Sequence, residues 1–346
     1  MTRNYLVTGG AGFIGSNYVH RLVQRGEQVT IYDNLSRVGA PRNIAWLEET
    51  FGKDAFRLIV GDLRNADLLA ELVKDMDVIV HLAGQVAVTS SVTNPREDFE
   101  ANALGTFNVL EAARLSERNP IFIYASTNKV YGGMEDVEIV EEATRWRYKD
   151  LIEGCPETQP LDFHSPYGVS KGAGDQYTRD YSRIYGLRSV VFRQSCIYGP
   201  RQFGIEDQGW LAWMMIAAVT GQQITIYGDG KQVRDVLHVS DLLNAYDLAI
   251  EKIDRARGQV YNIGGGPRNV LAVWAEFGPI LERLLGREVE VARADWRPGD
   301  QRVFYADFSK AKRELGWEPK IDLEEGLEML FHWVKENRTL STRLGI

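Results

Sequence analysis

Tyr167 and Lys171 stand four residues apart in the segment Tyr167-Gly168-Val169-Ser170-Lys171. On a helix that spacing places both side chains on one face. A free phenol has a pKa of about 10, so alone it is a poor base at neutral pH. A neighbouring ammonium favours the phenolate, which can take the proton of an alcohol. By itself the pair is common. Its weight comes from Ser126-Thr127, upstream at the end of a predicted strand, where a hydroxyl can orient a reacting oxygen. The chemistry this set fits is proton transfer at a secondary alcohol during hydride transfer.

A hydride needs a carrier, and the N-terminus offers a site for one. A predicted strand, Tyr5–Thr8, runs into Gly9, Gly12 and Gly15, and a helix follows. The first glycine suits a tight turn and the second lets a pyrophosphate approach the backbone. The third lets helix and strand pack closely, with the helix N-terminus facing the phosphate. Asp33 ends the next strand, 18 residues beyond Gly15, followed by Asn34. A carboxylate there accepts from the adenosine ribose hydroxyls and repels a 2′-phosphate, which favours NAD over NADP. Arg37 is the one neighbour that could hold such a phosphate. Asp62-Leu63 follows a later strand. Asp62 suits either an adenine contact or the N-cap of a helix over 66–74. His81-Leu82-Ala83-Gly84-Gln85 ends the fourth strand. Its small residues let backbone lie against a cofactor, whereas His81 reads as a packed strand residue.

These groups need a scaffold, and the first half of the chain has the rhythm of one. Strands are predicted at 5–8, 28–32, 56–60, 78–82, 121–126 and 187–193, with helices at 14–25 and 99–115. Strand alternating with helix means a parallel sheet with crossover helices, the doubly wound arrangement. Later strands are predicted at 224–227, 233–238 and 260–263. Helices are predicted at 239–251, 270–285, 309–315 and 323–336, with Ser240 and Asp241 suited to the start of the first. The stretch Gly133–Ser165 interrupts the rhythm and reads equally as a lid or a solvated insertion. The fold class is α/β, with a cofactor domain over 1–197 and 230–264. A smaller substrate domain covers 198–229 and 265–346.

The 346 residues include 40 Lys+Arg and 48 Asp+Glu, a net charge of −8. That argues against a nucleic-acid partner, though a local Arg cluster can still bind phosphate. The two cysteines, Cys155 and Cys196, make neither a disulfide scaffold nor, with no His/Cys cluster, a metal site. The longest apolar run, Trp210–Val219, is shorter than the about 20 residues a membrane span needs. No signal peptide is evident at 1–5, so a cytoplasmic protein is expected.

With these motifs in order, the chain resembles the extended short-chain dehydrogenase/reductase family of nucleotide-sugar epimerases and dehydratases. The resemblance spans nearly the whole chain. It rests on the glycine turn, Asp33, Asp62-Leu63, Asn102, Thr127, KVYG at 129–132, Tyr167 and Lys171. YGPR at 198–201, RDVLHVSD at 234–241, NIGGG at 262–266 and RPGDQR at 297–302 complete it. The resemblance implies a Rossmann-like sheet and tightly held NAD that is reduced only transiently. Thr127, Tyr167 and Lys171 would be catalytic. Gly9, Gly12, Phe13, Ile14, Asp33, Asn34, Asp62, Leu63, Leu82, Ala83, Gln85 and Asn102 would hold the cofactor with Tyr167 and Lys171. Substrate contacts would come from Gln85, Thr127, Asn128, Cys196, Gln208, Arg234 and Arg297. Arg201 and Arg302 read equally as surface ion pairs, and Trp210 as core. His164 reads as a structural loop residue. Helices around 99–115 and 168–185 would pair two subunits into a homodimer, with a tetramer as the larger alternative.

Within the family, GQVAVTSS at 84–91, STNKVYG at 126–132, HSPYGVSKGAGDQY at 164–177 and YGPRQFGIEDQGW at 198–210 most resemble epimerases acting at carbon 2 of a CDP-hexose. CDP-paratose, CDP-tyvelose, CDP-glucose and CDP-mannose are the candidate substrates. The family's 4,6-dehydratases carry Asp-Glu directly after the catalytic Thr, where this chain has Asn128-Lys129. Asn cannot transfer a proton usefully and Lys is no carboxylate base, so elimination is disfavoured. Cys196 replaces an Asn of many relatives. Epimerising an unactivated carbon by deprotonation is hard, and transient oxidation to a keto sugar avoids that step. The triad alone fits a 4-epimerase of a UDP- or other nucleotide-activated sugar equally well. A net oxidoreductase and a non-enzymatic NAD sensor are the readings from other classes.

Overall fold

The computed structural model describes residues 2–206, 208–297 and 300–338. Pro298 and Gly299 of the RPGDQR segment and Asp207 of the 198–210 segment lie outside these residues. In chain order come β1 (Asn4–Thr8), α1 (Phe13–Gln24), β2 (Gln28–Asp33), α2 (Ala40–Phe51), β3 (Arg57–Val60), α3 (Ala66–Val73) and β4 (Val78–His81). Short helices α4 (Val88–Thr93) and α5 (Pro95–Phe99) lead through a π-helical turn, Glu100–Leu104, into α6 (Gly105–Leu115). Then follow β5 (Ile121–Thr127), a 3-10 turn at Asn128–Tyr131, the hairpin of β6 (Ile139–Glu141) and β7 (Trp146–Tyr148), the long α7 (Ser165–Tyr185), β8 (Arg188–Gln194) and β9 (Cys196–Tyr198).

The remainder comprises α8 (Trp210–Thr220), β10 (Ile224–Tyr227), β11 (Val233–His238), α9 (Val239–Glu251), α10 (Ile253–Ala256), β12 (Val260–Ile263) and β13 (Val270–Ala272). It ends with α11 (Phe277–Leu285), β14 (Val291–Ala294), β15 (Val303–Phe304), α12 (Ser309–Leu315) and α13 (Leu323–Glu336). Among the described residues no helix is long and apolar enough to cross a membrane.

Seven strands form one sheet in the order β3-β2-β1-β4-β5-β8-β12. Every pair in it is parallel. Parallel strands need helices on both faces, so both faces must be apolar. The alternation delivers this. Val7, Ile31, Val80, Ile123 and Phe192 enter the core on one face. Leu6, Tyr32, Ile79, Phe122 and Val191 enter it on the other. The strand order reverses between β1 and β4, which opens a crevice at their carboxyl ends.

The predicted helix over 270–285 is two elements. Val270–Ala272 pairs antiparallel with β11, and the helix begins only at Phe277. The β-branched and apolar start of that segment satisfies a sheet edge, which outweighs the helical period. The predicted helix over 99–115 begins earlier, at Pro95, and is broken by the π turn. Asp62 caps no helix, because Asn65 is the N-cap of α3. Asp241 caps none either. His238 Nδ1 accepts from Ser240 N at the start of α9, while Asp241 accepts from Lys320 N and Ile321 N.

Within 230–264, β12 joins the large sheet, whereas β11 pairs with β9, β13 and β15 in a smaller one. Residues 133–165 carry many exposed side chains but are anchored from below. They form a strap whose Met134, Tyr148 and Cys155 share a buried cluster with Val233, Ala272 and Phe304. Cys155 N donates to Tyr305 O, Asp307 N donates to Cys155 O, and Asn262 Nδ2 reaches the same carbonyl at 2.8 Å. The strap thus lies along the smaller sheet and is tied to β12 of the larger one.

Candidate active site

Thr127 closes β5 and Tyr167 and Lys171 lie on α7, so the carboxyl end of one inner strand and one helix present all three. All are buried, at 8, 8 and 6 % exposure. A side-chain hydrogen bond joins Thr127 to Tyr167 and holds the phenol's pKa down, yet burial dominates and pushes it up to about 12. Burial pushes Lys171 down to about 8, against the opposing charges of Asp175 and Asp98. The Lys171 ammonium lies 4.5 Å over the Tyr124 ring, whose hydroxyl donates to Lys171 O at 3.2 Å. That cation–π platform fixes where the ammonium points. Thr127 Oγ1 also accepts from Lys129 N at 3.3 Å and so starts the turn at Asn128–Tyr131.

The glycine turn is built as a cradle. Gly9 has φ +69°, and a Cβ there would meet Ala83 N at 2.7 Å. A Cβ on Gly15 would come within 2.2 Å of Gly9 O, so this glycine is what lets α1 meet β1. A Cβ on Gly12 would meet only Gly9 O, at 3.2 Å, and would otherwise fill the space in front of the helix. Gly12 is the N-cap of α1 without a side-chain cap, and no acidic residue occupies the first turn. Unpaired N–H groups there suit a phosphate. Asp33 accepts from Ala11 N at 3.0 Å and Leu35 N at 2.8 Å. Burial raises its pKa, against these two bonds. Each carboxylate oxygen keeps a further lone pair for a ribose hydroxyl.

One cleft of about 700 Å3 joins these parts. Gly9, Gly12, Phe13, Ile14, Asp33, Asn34, Asp62, Leu63, Leu82, Ala83 and Gln85 line it, and Thr127, Tyr167, Lys171 and Gln208 stand at its far end. Arg37 lines it too. Asp62 is gripped by Arg64 Nε at 2.8 Å and Nη2 at 2.7 Å, which holds its pKa down at about 2. Asn102 does not line the cleft. It lies behind Gly84, donates to Gln85 O at 3.0 Å, and keeps a buried Oδ1 without a partner. The uncapped helix, the empty space before Gly12 and the terminal Asp33 fit a dinucleotide.

The substrate side is less gathered. The Gln85 amide is spent on Ala87 O at 2.7 Å and Asp98 Oδ1 at 3.1 Å, so its side chain clamps the segment. Asn128, Cys196, Arg234 and Arg297 fall outside the lining of the cleft. Arg234 Nη2 holds Asp300 at 2.8 Å. Arg297 lies 3.8 Å over the Tyr227 ring and 3.5 Å from Glu206. Lys129 Nζ donates to Gln301 Oε1 at 3.1 Å, and burial with nearby Arg234 pushes it down to about 8. Burial raises the Cys196 thiol. Arg201 lies over Trp46 at 4.3 Å, and Arg302 over Trp146 at 4.8 Å. His164 pairs with Asp162 at 2.9 Å on the surface. His81 is locked between Thr8 Oγ1 at 2.7 Å and Thr106 Oγ1 at 3.0 Å.

The sequence model of the GDP-mannose 4,6 dehydratase family matches residues 6–330. The chain belongs to this family. The match agrees with the short-chain dehydrogenase/reductase resemblance carried by its motifs. A CDP-paratose 2-epimerase of Salmonella typhi is 43% identical over 335 residues, covering 95% of this chain and 98% of that one. The dTDP-glucose 4,6-dehydratase of Streptomyces venezuelae, solved with NAD bound, superposes with a TM-score of 0.83 at 30% identity, covering 99% of each chain. A UDP-glucuronic acid 4-epimerase from Bacillus cereus, in complex with UDP-glucuronic acid and NAD, gives 0.80 at 28% identity, covering 96% of this chain and 99% of that one.

As a member of the GDP-mannose 4,6 dehydratase family, the chain departs from the elimination pattern at Asn128-Lys129. Neither side chain is a carboxylate, and Lys129 is bound to Gln301. Sequence reasoning passed over Asp98, Asp175 and Tyr124. Asp175 is four residues past Lys171, hence on the same helix face, and that spacing was a readable signal. It accepts from Ser126 Oγ at 2.8 Å and from Arg193 at 2.9 and 3.1 Å, tying β5, α7 and β8 beneath the triad. Among the described residues no group of three His, Cys, Asp or Glu could hold a metal.

Proposed function

We propose that the protein is an NAD-dependent isomerase that epimerises a CDP-hexose at carbon 2, with CDP-paratose and CDP-tyvelose as the substrate pair. The observation that carries this reading is Thr127, Tyr167 and Lys171 at the end of a dinucleotide cleft whose next two residues, Asn128 and Lys129, offer no carboxylate for elimination. The identity to the CDP-paratose 2-epimerase supports the choice of base and carbon.

NAD, when bound, supplies the hydride acceptor and donor. Gly9, Gly12 and the start of α1 would hold its pyrophosphate, and Asp33 its adenosine ribose. Tyr167 takes the proton of the sugar hydroxyl and returns it after the keto sugar has presented its other face. Thr127 donates to the reacting oxygen and fixes its position. Lys171 stays an ammonium so that the phenolate beside it is favoured. Arg234 and Arg297 leave their carboxylate partners to meet the diphosphate. The cofactor domain comprises 1–197 and 230–264, less β9 and β11, which serve the smaller sheet.

The protein works as a homodimer. Phe99, Phe107, Val169, Tyr177 and Ile184 expose apolar side chains from α5, α6 and α7, as a helical interface requires.

Proton NMR of the purified protein with CDP-paratose, CDP-glucose or UDP-glucose, without added cofactor, tests the reading. The expected result is a new 2-epimer signal from a CDP-sugar with no NADH released. Conversion of UDP-glucose to its 4-epimer instead would overturn the assignment to carbon 2.

A further inference from the structure

Asp98 is a buried acid that no motif accounts for. It lies on α5 with 1 % exposure. Its Oδ2 accepts from Ser170 Oγ at 2.5 Å. Its Oδ1 accepts from Asn102 Nδ2 and from Gln85 Nε2, each at 3.1 Å. Both oxygens are occupied, and the two amide groups on Oδ1 can only donate. Burial raises the Asp98 pKa, while the bond from Ser170, the charge of Lys171 and the two amides favour the carboxylate.

A buried charge needs a reason to persist, because desolvation costs more than neutral hydrogen bonds return. Among the described residues Asp98 makes no ion pair. The groups around it say which charge it answers. Ser170 is the residue directly before Lys171 and three after Tyr167, so the shortest bond ties Asp98 to the catalytic turn of α7. Two carboxylates act on the Lys171 ammonium, Asp175 from α7 and Asp98 from α5. Asp175 is already matched by the Arg193 guanidinium. From β4, His81 is held neutral, with its pKa pushed down to about 3. From β5, Tyr124 offers a ring face. Of these two carboxylates, Asp98 is therefore the one not already spent on an arginine. Its other oxygen holds Gln85, and so the cleft wall.

We propose that Asp98 is a positioning residue of this site, which holds α7 against the Gln85 wall and supplies the counter-charge that keeps Lys171 an ammonium. The proposal rests on the functional reading above for Lys171's role, and its first test, the NADH titration, does not need a sugar substrate.

The affinity of the purified protein for NADH is measured against pH. Affinity should fall as Lys171 loses its proton. Asp98→Asn should move that midpoint down by about half a pH unit or more. Asp98→Glu, which keeps the charge, should leave it in place. An unmoved midpoint in a folded Asp98→Asn protein overturns the proposal. Ser170→Ala keeps the charge but cuts the bond to α7. It should lower kcat on the accepted sugar without moving the pH profile, and an unchanged kcat also overturns the proposal. If Asp98→Asn does not fold, Ser170→Ala decides. Failure of every CDP- and UDP-sugar to react would sink the epimerase reading, and the NADH titration would still judge Asp98.

Discussion

Burial moves Tyr167 and Lys171 in opposite directions. The phenol is pushed up to about 12 and the ammonium down to about 8. In that state the phenol holds its proton at neutral pH even beside Lys171, and the base would form only when the positive nicotinamide adds to that ammonium. Tyr167→Phe removes the proposed base, so kcat should fall by about 100- to 10,000-fold while NAD remains bound. Cofactor content by absorbance and turnover by NMR check both halves. Lys171→Met removes the neighbouring cation, which raises the phenol further. The acid limb of the kcat profile should then move to higher pH, and an unmoved limb would show that Lys171 does not set it. Residue types and spacing made this triad readable. Asp98 was not readable, because Asn94-Pro95-Arg96-Glu97-Asp98 looks like an ordinary helix start. Asn94 indeed caps α5 by accepting from Glu97 N. Only the fold shows that the last acid of that start points inward.

At the scale of elements, the turn from β1 to α1 separates fold from binding. Gly15→Ala forces a Cβ against Gly9 O and should destabilise by about 1–3 kcal/mol. Gly12→Ala meets little protein but fills the phosphate cradle. It should keep its melting temperature and lose NAD affinity on the order of tenfold or more. Thermal melts and cofactor titration on the two variants separate the effects. The large sheet was legible because strands buried on both faces must be apolar throughout, and β10, β11 and β12 lie where the sequence puts them. The strand β13 was hidden, since its three residues follow Gly-Pro-Arg-Asn and run into a real helix. The π turn at Glu100–Leu104 was hidden as well, because side-chain periodicity carries no mark of one extra backbone residue.

For the whole molecule, association and pH stability are the measurable properties. Ile184 is 66 % exposed on α7. Ile184→Glu should shift the protein from dimer to monomer by light scattering, and a wild-type monomer would refute the interface. His81 and His238 are buried, and burial lowers them to about 3 and about 4. Their folded pKa values lie below the unfolded value of about 6.5. The stability they confer is therefore complete above that value and is lost as pH falls toward the folded ones. Melting temperature should drop between about pH 7.5 and about pH 5, and less so in His81→Asn. The strap at 133–165 has a mechanical consequence. It stitches Tyr305 and Asp307 to Asn262 through the backbone of a single residue, Cys155. One margin of the molecule is thereby riveted, like the spine of a book. Calorimetry should therefore record one endotherm rather than two.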